Sequence, residues 1–242
     1  MPGVYLSRLD CPQLERAEPG QFVMVRCGEG MEYQLRRPFS LHRQEGNQLS
    51  LLFKVVGRGT RWLSERQTGQ KIDLLGPLGK GYKIHPDSNN LLLAAGGIGI
   101  APLVFLAEAA ISRGREVTML LGAPTASQLY PRKLLPAGAR LINATEDGST
   151  GRKGMITDIL PDFINSADQL FACGPLGMYQ TMARMPRLKD KPVQVSLEMR
   201  MGCGLGICYG CTVKTSNGLR QACKHGPIFN LDDILWEELA DI

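Results

Sequence analysis

Residues 201–223 read MGCGLGICYGCTVKTSNGLRQAC, and their cysteines fall in the pattern C-x4-C-x2-C-x11-C. Cys203, Cys208 and Cys211 can wrap one side of a small inorganic core, and Cys223 returns to it after an excursion of hairpin length. This is the ligand spacing of a plant-type 2Fe-2S centre. Gly202, Gly204, Gly206 and Gly210 interleave with the cysteines. They leave backbone N–H groups free to approach sulfur where a side chain would clash. Structural zinc is the competing reading. Zinc ribbons pair two C-x2-C knuckles across a spacer, and this chain has one.

Upstream, the apolar run at residues 91–95 is that of a strand buried on both faces of a parallel sheet. It leads into Gly96-Gly97-Ile98-Gly99-Ile100-Ala101-Pro102 and a helix predicted over 103–113. Further strands are predicted at 117–121, 139–144, 169–172 and 193–197, with helices near 157–160 and 176–187. The βα alternation points to a doubly wound sheet. The turn at 96–102 stands where such sheets bind nucleotides, although it is not G-x-G-x-x-G. Cys173-Gly174-Pro175 ends another strand in the same way. Cys173 is either a buried structural thiol or a group beside a nicotinamide at the crevice mouth.

Residues 1–86 alternate short apolar stretches with Gly, Pro and Asn turns. Strands are predicted at 4–9, 21–26, 39–42, 48–56 and 71–75, with one helical piece at 60–66. This spacing suggests a small antiparallel barrel. Arg37-Pro38-Phe39-Ser40 offers a guanidinium for phosphate and a hydroxyl for a flavin ring edge. Gly57-Arg58-Gly59-Thr60 precedes the short helix and offers free N–H groups to a pyrophosphate. Taken alone, each segment reads more readily as a plain turn. Residues 76–81 read as a tight turn closing the barrel, and 86–90 as a polar linker.

Composition sets the outer limits. At 242 residues with 43% hydrophobic and 21% charged side chains, the chain is an ordinary globular protein of more than one domain. The expected division is 1–86, 87–197 and 198–242. A net charge of +5 is mild and mixed along the chain, so no nucleic-acid surface is expected. No N-terminal apolar core marks a signal peptide, and glycines and Pro102 break the longest apolar run, so no membrane partner is expected. Of seven cysteines, Cys11, Cys27 and Cys173 lie outside the cluster pattern, which fits a reducing cytoplasm.

The order of R-P-F-S, G-x-G-T, G-G-I-G-I-A-P-L, C-G-P and a terminal four-cysteine loop resembles the ferredoxin–NADP reductase superfamily. S-L-E-x-R-M-G-C-G before the cluster, C-K-H-G-P-I-F-N after it, and Glu146-Asp147-Gly148-Ser149 resemble the electron-transfer subunits of NAD-dependent dihydroorotate dehydrogenases. The resemblance covers nearly the whole chain. It implies an antiparallel FAD-binding β-barrel, a doubly wound NAD-binding α/β domain and a small C-terminal 2Fe-2S domain. It implies FAD contacts at Arg37, Pro38, Phe39, Ser40, Leu52, Phe53, Lys54, Gly59 and Thr60. NAD(H) contacts are implied at Gly96, Gly97, Gly99 and Gly174, with Ser40 and Cys173 as candidate catalytic residues. Cys203, Cys208, Cys211 and Cys223 are the implied metal ligands. Two departures stand out: the chain looks one strand short at its start, and Gly122-Ala123-Pro124 lacks an arginine often found there.

Nicotinamide exchanges two electrons together and a 2Fe-2S centre carries one, so a flavin able to do both is expected between them. In the family, electrons from dihydroorotate enter through FMN on a separate catalytic subunit, cross the cluster to FAD and leave on NAD. The implied partner is that FMN-containing subunit, in a heterotetramer with two copies of each chain. The alternatives are the reductase subunit of another complex, such as a hydrogenase or transhydrogenase, and a redox sensor that is not an enzyme.

Overall fold

A computed structural model describes residues 1–30 and 34–239. The chain begins with β1 (Val4–Asp10), β2 (Phe22–Val25), β3 (Arg37–Glu45), β4 (Gln48–Lys54), α1 (Arg58–Ser64) and β5 (Leu74–Leu78). These strands form an antiparallel sheet in the order β1-β4-β3-β2-β5. Next come β6 (Asn90–Gly96), α2 (Ile100–Ile111), β7 (Glu116–Ala123), β8 (Arg140–Thr145), β9 (Arg152–Lys153) and α3 (Ile156–Ile159). They are followed by β10 (Gln169–Cys173), α4 (Leu176–Ala183), β11 (Val193–Ser196), β12 (Thr212–Thr215), β13 (Gly218–Gln221), α5 (Ala222–His225) and β14 (Ile228–Asn230). A seven-stranded sheet has the order β14-β11-β10-β6-β7-β8-β9, and β12 and β13 make a separate hairpin.

The apolar run of β6 has its expected cause. Leu91, Leu93 and Ala95 pack with Leu103, Val104 and Ala107 of α2. Leu92 and Ala94 face the other way, onto Ile156 and Ile159 of α3 and Met178 and Met182 of α4. With helices on both faces, every position of the strand is covered, and alternation disappears from the sequence.

Several boundaries differ from expectation. β5 lies three residues further on than predicted, and Gly76, Pro77 and Leu78 belong to it instead of to a turn. Its pairing with β2 carries an irregularity between Phe22 and Met24. A Cβ on Gly76 would stand 2.6 Å from Val23 Cγ1, so only glycine lets the strand approach there. Helix α2 starts at Ile100, because Pro102 falls in its first turn, where a missing N–H costs nothing. Helix α4 stops at Ala183, short of the predicted 187, since Pro186 opens a new 3-10 turn. Residues 86–90 are polar and turn-rich as expected, but they are pinned. The Asp168 carboxylate accepts the Asn89 and Asn90 N–H groups at 2.8 and 2.7 Å.

β14 pairs antiparallel with β11, so a strand from beyond the four cysteines completes the sheet begun at residue 90. The expected break at 197/198 is therefore not a break in the sheet. The antiparallel sheet is clamped to the second sheet through β3. The buried His42 imidazole is hydrogen-bonded to Ser50 Oγ at 3.0 Å and Tyr130 Oη at 2.8 Å, and Arg43 pairs with Glu108 of α2 at 2.6 Å. No helix among the described residues is long and apolar enough to cross a membrane.

Candidate iron–sulfur and nucleotide sites

Cys203 and Cys208 lie in the irregular stretch between β11 and β12, Cys211 immediately precedes β12, and Cys223 lies in α5. The hairpin explains the long last spacer. Its register pairs Thr212 with Gln221, and the Ala222 N–H extends the ladder to the Cys211 carbonyl at 2.9 Å. Cys223 thereby lands beside Cys211 and donates its own N–H to the Cys211 sulfur at 3.4 Å. Leu205 N–H donates to Cys203 Sγ at 3.3 Å, and Gly206 N–H to Cys223 Sγ at 3.1 Å. These amides favour thiolate over thiol. The amides of Leu205 and Cys208 hold the Cys203 thiol well below its ordinary range, while burial and then Cys211 push Cys223 up. Two neighbouring thiols resist joint ionisation unless a positive centre neutralises them.

Among the described residues no three His, Cys, Asp or Glu side chains gather around a single-ion position. The fit to a metal centre rests on the paired thiols and the amides aimed at them. The glycines divide the labour differently from expectation. Gly206, at φ +74°, brings its own amide to sulfur, whereas a Cβ on Gly204, at φ +72°, would stand 2.6 Å from Met24 Cγ and 3.1 Å from Leu78 Cδ1. Gly204 thus seats the loop on β2 and β5. The candidate ligands are unequally buried: Cys211 and Cys223 lie in the same cluster as Phe22 and Met24, while Cys208 is exposed.

The flavin candidates surround β2 as well. Ser40 is opposite Phe22 and Pro38 opposite Met24 on β3. Ser40 is half-buried, and its hydroxyl has no partner among the described residues. Arg37 opens β3 exposed, its Nη1 donating to the Leu35 carbonyl at 2.7 Å. Gly59 stands beside it: a Cβ there would be 3.2 Å from Cys27 Cβ and 3.8 Å from Arg37 Cγ. Thr60 is turned to its own loop, its hydroxyl accepting the Val56 and Gly57 N–H groups at 2.9 and 3.1 Å. Phe39 and Phe53 are buried edge to face, centroids 5.6 Å apart. Leu52 points oppositely, into the cluster holding Ile98 and Ile100, and Lys54 is exposed.

The nicotinamide candidates converge where the chain reverses direction across the sheet. β7, β8 and β9 lie to one side of β6, and β10 and β11 to the other. Such a switch point opens a crevice at the strands' carboxyl ends. A Cβ on Gly96 would stand 2.8 Å from Pro175 Cδ, and one on Gly174 would stand 3.2 Å from Gly96 Cα. Gly97, at φ +55°, has nothing within 4 Å of its Cβ position and faces open space. Cys173 is half-buried with its sulfur 3.9 Å from the Ser196 carbonyl. Burial, then the Glu198 charge, pushes its thiol up to about 12, so it is neutral at physiological pH.

Sequence reading assigned no role to three supporting groups. Tyr179 Oη accepts the Gly174 N–H at 2.8 Å and donates to the Ser196 carbonyl at 2.7 Å, fixing the turn beside Cys173. Cys27 is buried under Gly59. Asp147 is folded back onto the end of β7, its N–H donating to the Pro124 carbonyl at 3.2 Å. Ser149 Oγ donates to Asp147 Oδ1 at 2.6 Å and accepts the Ala126 N–H at 2.8 Å. The Ser149 hydroxyl and amide hold the Asp147 carboxyl below the usual carboxylate range. An acid at the end of the second strand is the usual reader of a nucleotide ribose. Asp147 stands in that place but arrives from the loop after β8, so no motif at 122–128 points to it.

Comparisons with known proteins agree with this layout. Residues 198–235 match the family described as the iron–sulfur cluster binding domain of dihydroorotate dehydrogenase B, and residues 93–184 match the oxidoreductase NAD-binding domain. Over 98% of its length the chain superposes on a chain of the NADH-dependent reduced ferredoxin–NADP oxidoreductase. The TM-score is 0.88 at 32% identity, with 87% of that chain covered. A ferredoxin–NADP+ reductase from Neisseria gonorrhoeae, with bound FAD and NADP, shares the fold at TM-score 0.66 and 21% identity over 77% of this chain and 87% of that one. The fold and the cysteine loop therefore define an iron–sulfur oxidoreductase of the ferredoxin reductase-like class, with 2Fe-2S, FAD and NAD as its cofactors. An electron transfer subunit of dihydroorotate dehydrogenase B (NAD+) from Desulforamulus reducens is 40% identical over 247 residues, 98% of this chain and 94% of that protein. One from Bacillus cereus is 36% identical over 228 residues, 90% of this chain and 87% of that one. The chain belongs to the family of electron transfer subunits of NAD-dependent dihydroorotate dehydrogenase B.

Proposed function

We propose that the chain passes electrons between an FMN-containing dihydroorotate dehydrogenase catalytic subunit and NAD, in the oxidation of dihydroorotate to orotate. The observation that carries this reading is the seat of the cysteine loop on the antiparallel sheet, with Gly204 against Met24 and Leu78 and with Cys208 at the surface. When bound, FAD exchanges electrons in pairs with nicotinamide and singly with an iron–sulfur centre. In this reading residues 1–86 are the FAD-binding barrel, 87–197 the doubly wound NAD domain and 198–242 the cluster domain, of which 240–242 lie outside the described residues.

The residues divide the task as follows. Arg37 and the Gly59 backbone hold the FAD phosphates, with Thr60 shaping that loop. Ser40, whose hydroxyl has no partner among the described residues, offers it to the ring edge. Pro38, Phe39 and the residues Leu52, Phe53 and Lys54 wall the flavin, the two buried phenylalanines through their backbone. Gly96, Gly97, Gly99 and Gly174 admit the nicotinamide nucleotide, and Cys173 stands beside it as a neutral thiol. Cys203, Cys208, Cys211 and Cys223 ligate the cluster.

The partner docks over the exposed edge of the cluster loop. Leu205, Ile207 and Tyr209 are 50%, 72% and 68% exposed on three alternate positions of it. Tyr209, at φ +60°, is fixed there by Thr212, whose hydroxyl donates to the Tyr209 carbonyl at 2.6 Å. Exposed apolar and aromatic groups of this density mark partner surfaces. The complex is a cytoplasmic heterotetramer with two copies of each chain. Mixing the purified chain with its catalytic subunit anaerobically should make dihydroorotate bleach the flavin and cluster bands and reduce NAD. A chain reduced by NADH but never by dihydroorotate through that partner would instead serve another complex. The 32% identity to a chain of the ferredoxin–NADP oxidoreductase is the observation on the side of that second reading, a transhydrogenase-type reductase subunit, against 40% identity to a dihydroorotate dehydrogenase B subunit.

A further inference from the structure

A cavity of about 470 Å³ opens where the antiparallel sheet, the seven-stranded sheet and the cluster hairpin meet. None of the flavin, nicotinamide or cluster candidates lines it. Its cations come from three separate parts of the chain: Lys80 and Lys83 after β5, Arg220 on β13, and beside them His225 on α5. Among the described residues, the Lys80 and Lys83 ammonium groups and the Arg220 guanidinium have no hydrogen-bond or ion-pair partner. One carboxylate, Asp233, faces them. Cations gathered in a concavity reinforce one another's potential and recruit anions.

The wall is also built to hold its groups in place. Gln194, buried on β11, clasps the Lys83 backbone on both sides: Oε1 accepts its N–H at 2.9 Å and Nε2 donates to its carbonyl at 3.0 Å. Gln169, fully buried on β10, donates to the same carbonyl at 2.8 Å. The Lys80 N–H is tied to the Gly226 carbonyl at 2.6 Å. His225 Nδ1 accepts the Gln221 N–H at 3.1 Å, so the neutral ring carries its proton on Nε2 and offers a further donor. Phe229 and Ile228 supply an apolar wall.

We propose that this cavity binds a phosphate monoester of the size of a nucleoside monophosphate. Three permanent cations against one carboxylate leave two positive charges, and a phosphate monoester carries about −1.5 to −2 at pH 7. Arginine and lysine are the side chains that take phosphate oxygens. The volume exceeds what phosphate alone fills and lies in the range of small-molecule sites, with Ile228 and Phe229 as its apolar floor. A bound monoester would tie the element bearing Cys223 to the two sheets it rests on. The site would therefore bias how firmly the cluster region is held.

The test is calorimetric titration of the intact, cofactor-loaded chain with UMP, uridine and inorganic phosphate at fixed ionic strength. UMP is chosen because an adenylate would also enter the dinucleotide crevice. UMP should bind, uridine should not, and phosphate should bind more weakly than UMP. Lys80→Ala combined with Arg220→Ala should weaken UMP by roughly tenfold or more while FAD and iron content stay unchanged. Neither side chain has a hydrogen-bond or ion-pair partner among the described residues, so the fold should survive their loss. Equal binding of uridine and UMP, equal binding of phosphate and UMP, or a double variant that binds UMP unaltered would each overturn the proposal.

Discussion

Gly99 lies so close to Cys173 that a Cβ on the glycine would stand 2.1 Å from the Cys173 carbonyl oxygen. The turns after β6 and β10 are thereby packed backbone to backbone across neighbouring strands. Gly99→Ala must push them apart, and overpacking of this kind costs about 1–3 kcal/mol. The expected outcome is a lower melting temperature together with a raised KM for NADH. An unchanged KM in a folded variant would show that this contact does not shape the nicotinamide crevice.

Cys208→Ser should lose iron and sulfide, because a hard alkoxide is a poor substitute for thiolate on iron. Cys208 is the exposed cysteine of the four, so the apolar core should stay intact and FAD should be retained. The measurement is iron, sulfide and flavin per chain. Two irons and two sulfides with an unaltered spectrum would remove Cys208 from the ligand set.

NADH should be preferred over NADPH. The loop after β7 offers no cation before Arg132, and Asp147 places an ionised carboxylate against it. A 2′-phosphate would meet that charge at close range. Asp147→Asn should narrow the ratio of kcat/KM for NADH over NADPH by about tenfold, and equilibrium binding of the two nucleotides should shift in parallel. Comparable efficiency with both nucleotides in the unaltered chain would sink this assignment.

Leu205→Asp and Ile207→Asp alter exposed side chains while leaving intact the Leu205 amide that points at Cys203. Each should weaken association with the catalytic subunit, and NADH should still reduce the FAD. Sedimentation or pull-down of the mixed subunits reads the first effect and stopped-flow absorbance the second. Undiminished association in both variants would move the docking face elsewhere.

Stability should fall on acidification through the His42 clamp. Burial first, then the charges of Arg43 and Arg8, lower the His42 pKa from 6.5 to about 4. Between those values the unfolded chain binds a proton that the folded one refuses, so stability is full above pH 6.5 and is lost as pH falls toward 4. The contribution is ~3 kcal/mol at most. His42→Gln, which cannot titrate, should flatten the melting temperature across that window. An equally steep profile in the variant would assign the acid sensitivity to other groups.

Sequence by itself determined the spacing of the four cysteines, the buried parallel strand at 91–95, the two turns at 96–102 and 173–175, and the family. These are written in short windows, as the spacing of like residues or the absence of alternation in a strand covered on both faces. Tertiary structure alone decided how the windows meet. It placed β14 in the nucleotide sheet, brought Asp147 to the end of β7, slid β5 past its predicted span, and seated Gly204 on Met24. It also split the apolar residues around the cluster into two sets. Met201 is buried and Met199 packs against the same core, whereas Leu205, Ile207 and Tyr209 face outward. The physical reason is that each of these outcomes depends on contact between segments tens to nearly two hundred residues apart. Such contacts are selected by packing over the whole fold, and no local periodicity carries them.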